Sequence, residues 1–141
     1  MPINREYRVP LLLFTLALLA DHLITQRGLA TGGREGNLVA IWLWQVLPIG
    51  PHMLAFLWWI LVTNAAILLM RFSQFAGRWC LYWAFIGHLS GFLSWTPVLH
   101  TTVQRVWAVF GQRWGLVVLL MCAGMIGLFL AWVHKRITPQ T

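Results

Sequence analysis

The sequence predicts an all-α polytopic membrane bundle of four transmembrane helices plus one short interfacial or re-entrant helix, all in a single integral membrane domain, 1–141. Three observations lead there. The chain is 60% hydrophobic and only 9% charged, against about 25% charged in a soluble domain. A core of 141 residues cannot hide that much apolar surface from water. The third is the ten tryptophans, several of which fall at the ends of apolar runs, where an indole suits the headgroup level.

The first span is expected over Val9–Gln26. Pro10 fits its first turn, where a missing N–H costs little. Gly28, Gly32 and Gly33 follow as helix breakers. The next apolar stretch, Leu38–Leu47, has only about ten residues, too few to cross roughly 30 Å of hydrocarbon. It is read as lying in the interface or dipping in and returning. Pro48, Gly50 and Pro51 end it. The second span is His52–Met70, the third Trp79–Val98 and the fourth Trp114–Val133. The linker 71–78 is short, so the second and third spans should be antiparallel neighbours. The polar segment 99–113 reads as an interfacial loop or short helix.

Four spans place both termini on one side. With that side cytoplasmic, Arg5, Arg8, Arg71, Arg78, Lys135 and Arg136 face in, and Arg27, Arg34, Arg105 and Arg113 face out. The bias favours N-in and C-in. The net charge of +7 sits at helix ends rather than in one water-facing patch, which argues against nucleic acid as a partner and for the lipid bilayer. Cys80 and Cys122 form no Cys-x-x-Cys, so a redox dithiol or zinc knuckle is unsupported. The N-terminus resembles a signal peptide, but Asp21 and His22 interrupt the apolar run and no Ala-x-Ala site is clear. It is read as a retained first helix.

Only three acidic residues occur, and two of them, Asp21 and Glu35, flank the glycine-rich turn after the first span. Asp21 and Thr25 share one helix face. A carboxylate at that depth costs about 2.5–3.5 kcal/mol on insertion scales, so it should face the bundle or a wet cavity, with a partner. Arg27 and Arg34 are candidate partners. Glu35 and Asn37 follow the turn and are expected to fold back over Asp21 and Thr25. These four residues form the expected polar cluster, either as a latch or as a site for a cation, a proton or a lipid-like substrate. Asn37 has a simpler alternative, as N-cap of the short helix.

His88 lies near the middle of the third span. A histidine there can bond across a helix contact, to Asn64 or Asp21, relay protons, or ligate haem or a chlorophyll-type pigment. Gly87 and Gly91 beside it, Gly124 and Gly127 in the fourth span, and Asn64 in the second are the expected helix-packing positions. His22, His52 and His100 fall near the outer ends of spans, but no local ligand spacing supports a metal site, and none is assigned. Trp58, Trp59 and Trp83 lie deeper and are read as packing residues.

The run Asp21-x3-Thr25, Gly32-x2-Glu35-x-Asn37, then an apolar stretch, resembles a family of small bacterial and archaeal integral membrane proteins of unknown function. Their pattern is D-x3-T followed by G-x2-E-x-N-P. The resemblance covers about residues 15–70. Leu38 stands where that family has proline, and the second span lacks its usual lysine. The resemblance implies a multi-helix protein of a bacterial or archaeal inner membrane, with polar positions clustered near one face; it supplies no activity, because that family's function is not established.

With no catalytic motif, the composition favours a non-enzymatic accessory or scaffold subunit that packs against a larger membrane complex. The alternative is a working site at the outer face, at Asp21, Thr25, Glu35 and Asn37, or a haem- or pigment-binding bundle through His88.

Overall fold

A computed structural model of the chain describes residues 5–33, 38–47 and 49–137. Five helices follow one another: α1 (Arg5–Ala30), α2 (Leu38–Val46), α3 (Pro51–Phe72), α4 (Gln74–Ser94) and α5 (Pro97–Ile137). The architecture is all-α, as the composition requires. Three helices are long and apolar enough to cross a membrane: α1 over Tyr7–Ala30, α3 over its whole length, and α5 over Leu99–Ile137. The expected fourth span, Trp79–Val98, falls on α4, which is not among these three. Its position explains the lower hydropathy. α4 packs against α1, α3 and α5 and buries Gly77, Arg78, Leu81 and Tyr82. A helix enclosed by other helices meets little lipid, so its sequence can carry Arg78, His88, Ser90 and Ser94.

α1 extends about a turn beyond the expected span at both ends. Pro10 therefore lies inside the helix rather than in its first turn, fully buried. Gly28 is also helical. The stop comes at Gly32, whose φ of 87° is left-handed. There Gly33 N–H donates to Gly28 O at 2.9 Å and Gly32 N–H to Leu29 O at 3.1 Å. This is a Schellman closure, which satisfies carbonyls that the helix end leaves open. Glu35 and Asn37, and with them the expected fold-back over Asp21, lie outside the described residues.

α2 covers the short apolar stretch. α3 and α4 are joined by Ser73 alone, which ends one helix and caps the next by accepting from Ala76 N–H at 3.3 Å. The hairpin closes because Gly77 lies against Met70 and the Ala66 carbonyl. α5 is not one rod: Gly111, at φ 72° and ψ 160°, breaks it. Its arms, 97–110 and 112–137, fold toward each other, with Gly115 against Trp107. The second arm holds the expected span Trp114–Val133, and the first holds most of the segment read as interfacial.

The core lies between α1, α3 and α4. Tyr7, Phe14, Leu18, Val62, Ala66 and Leu81 form one buried cluster. On α1 the seam toward α4 runs Tyr7, Leu11, Phe14, Leu18, Asp21, Thr25, alternating steps of four and three. This is the spacing that keeps one face of a helix against a partner. Outside the core, large apolar side chains such as Leu12, Leu23, Phe56, Leu61 and Met125 are more than half exposed. Such a surface suits lipid rather than water.

Candidate functional site

Asp21 occupies a seam position of α1 and points at α4. There the His88 ring lies beside Phe14, with centroids 5.9 Å apart. His88 Nδ1 is 2.8 Å from Asp21 Oδ2. On the other side of the ring, Trp58 Nε1 of α3 donates to His88 Nε2 at 2.9 Å. An indole N–H can only donate, so Nε2 is the bare nitrogen and Nδ1 carries the proton that is donated to the carboxylate. Three helices thus meet in one directional chain, Trp58 to His88 to Asp21.

The seating depends on small residues. A Cβ on Gly91 would fall 2.6–2.9 Å from the Asp21 carboxylate, so only glycine lets that group approach the α4 backbone so closely. The side chains of Asp21 and His88 each keep about 20% of their exposure, so the pair is sheltered but not sealed. Thr25, one turn on, is buried on the same face. Asp21 lies nine residues before the end of α1, Trp58 seven after the start of α3, and His88 six before the end of α4. That places the chain roughly 9–14 Å below one end of the bundle.

Polar groups continue along the seam. Trp59 Nε1 donates to Thr15 Oγ1 at 2.9 Å, and Thr15 donates to Leu11 O at 2.8 Å. Further down, a cavity of about 120 Å³ is bordered by Tyr7 and Thr63 among apolar neighbours. In the opposite direction, near the bundle end, His22 Nε2 and His52 Nδ1 are 2.7 Å apart, joining α1 to the first turn of α3. His100 Nδ1 donates to Ser94 O at 3.3 Å at the end of α4. Among the described residues, no three His, Cys, Asp or Glu side chains gather as a metal-binding group.

The sequence-derived positions divide clearly. Asp21 and His88 are brought together, and Gly91 is part of their seat. Ligation of a haem or pigment through His88 Nε2 would require Trp58 to turn away first. Gly87 has no neighbour within 4 Å of a built Cβ, so it marks no close helix contact in this chain. Asn64 is exposed and donates to Ile60 O of its own helix at 2.8 Å, not to a neighbouring helix. Gly124 and Gly127 do lie at a close contact: a Cβ on Gly127 would fall 2.7 Å from the Trp83 backbone nitrogen. There Trp79 donates to Gly124 O at 3.0 Å and Trp83 to Leu120 O at 3.1 Å, with the two indoles stacked.

The residues that sequence reasoning undervalued are the deeper tryptophans. Trp58, Trp59 and Trp83 were expected to pack, yet each donates an interhelical hydrogen bond. The available signal was chemical. An indole set within a membrane needs an acceptor for its N–H whether it meets lipid or protein, and an apolar bundle offers few besides histidine, threonine and backbone carbonyls.

No family model matches the chain, and neither a curated protein nor a solved structure matches it.

Proposed function

We propose that the chain is a polytopic membrane protein that takes up and relays protons through the Asp21–His88 pair. α4 is the fourth span beside α1, α3 and the 112–137 arm. The basic helix ends at Arg8, Arg71, Lys135 and Arg136 face the cytoplasm, so the pair lies toward the outer side. One observation carries the reading: an imidazole held between a donor-only indole and a carboxylate, within a bundle whose polar side chains are few. An ionisable pair inside a membrane is costly and marks a relay or ion path more often than a filler, and an imidazole can take a proton on one ring nitrogen and give one from the other. The His22–His52 pair supplies an entry near the bundle end, and the Thr15–Trp59 bond extends the polar seam inward.

The test is proton movement into proteoliposomes under an imposed pH gradient, read with an entrapped dye. The wild type should exceed empty vesicles. Asp21→Asn and His88→Asn should fall to the empty-vesicle rate while circular dichroism stays unchanged. A wild type no faster than empty vesicles would refute the relay.

A second reading, a non-enzymatic subunit that packs against other membrane proteins, is supported by a different observation. Asn64, in the middle of α3, is exposed and, among the described residues, bonds only its own helix.

A further inference from the structure

The outward face of α3 is ordered. At 100° per residue, Met53, Leu57, Leu61, Asn64 and Leu68 fall within 60° of one line, and the buried Val62 and Ala66 lie on the opposite side. Leu57, Leu61 and Leu68 are 44%, 59% and 54% exposed. From Leu57 the steps are four, three, four and three, through Leu61, Asn64 and Leu68 to Arg71. That is the seam spacing of two helices packed along their length. Asn64 sits at its centre. Its Nδ2 donates to Ile60 O, which uses one of the two amide protons. Among the described residues, the other proton and the Oδ1 acceptor have no partner on a second helix. An amide left to hydrocarbon costs free energy, and interhelical bonds of such residues drive association in membranes.

We infer that this face is where two copies of the chain associate. α3 packs on α3 about a two-fold axis through Asn64, and the two amides bond to each other. The occupant follows from chemistry. An asparagine amide is self-complementary, since it presents a donor and an acceptor, and a two-fold interface opposes each residue to itself. The leucines on either side supply matching apolar rows, and the one charge on the row, Arg71, sits in the last turn of α3, at the membrane edge where water screens it from its copy. The inference rests on reading α3's outer face as a packing surface. It is independent of the proton relay.

The test is association in bilayers, by energy transfer between singly labelled copies as the protein-to-lipid ratio is lowered. The wild type should dimerise, Asn64→Gln should retain dimerisation, and Asn64→Leu should raise the dissociation constant about tenfold. Because Asn64 is exposed, Asn64→Leu should fold normally, which unchanged helicity checks. A wild type that is monomeric at every ratio would overturn the inference, as would Asn64→Leu dimerising as tightly as wild type. If the monomer co-purifies with a different membrane protein and Asn64→Leu abolishes this, the packing surface survives and self-association does not. With neither form of association, both fail.

Discussion

The two long faces of α4 hold their neighbours by different chemistry. Toward α5, Trp79 and Trp83 donate to backbone carbonyls at Gly124 and Leu120, and Gly127 brings the two helices close. On the same side Tyr82 Oη and His134 Nδ1 lie 2.7 Å apart, so a second histidine pair joins α4 to α5. Toward α1 and α3, the central contact is the Trp58–His88–Asp21 chain, with the carboxylate seated on Gly91. Both arrangements satisfy polar groups away from water. Only the second sets a histidine against a carboxylate. A bundle needing nothing but cohesion could have used the first device twice. On the proposed reading, the relay belongs to the α1 side and the α5 side is its support.

The largest expected effect is on the support. Gly127→Leu forces a side chain into the Trp83 backbone, where neither helix can yield easily. It should cost about 2–3 kcal/mol or prevent packing altogether, read as loss of the folded state in a denaturant titration in detergent. On the other face, Asp21→Ala leaves the His88 N–H without its acceptor. It should cost about 1–3 kcal/mol, and Asp21→Asn, which keeps an acceptor, should recover most of it. Equal losses in Ala and Asn variants would mean that charge, not the hydrogen bond, holds the helices. Smallest is Trp83→Phe, which removes one donor and keeps a ring. It should cost about 0.6–1.7 kcal/mol with proton movement unaltered. If Trp83→Phe stopped proton movement, the division between the two faces would be lost.

Much of this organisation was legible in the chain. Apolar run lengths gave the helices, and the i, i+4 pairing of Asp21 with Thr25 put both on one face. The cost of a membrane carboxylate demanded a partner; Arg27 and Arg34 were the first candidates, and Asp21 was one of two partners named for His88. What escaped had physical causes. Hydropathy identifies helices that face lipid, so α4, enclosed on several sides, scores low although it is the hub. The Gly111 corner divides a segment that reads as polar and then apolar, without revealing that its arms fold together. Trp58 and Trp59 were hidden because an indole's apolar area dominates its reading, whereas its N–H decides what it contacts. Asn64 was expected between helices of this chain, since sequence shows that it needs a partner but not which way it faces.

The most direct measurement is solid-state nitrogen NMR of the histidine side chains in lipid bilayers, with His88→Asn to assign the resonance. The Trp58–His88–Asp21 chain requires the neutral His88 ring to carry its proton on Nδ1. Nε2 should be bare but hydrogen-bonded, and Trp58→Phe should abolish that last bond. A neutral ring protonated on Nε2, or an Nε2 signal indifferent to Trp58→Phe, would contradict it.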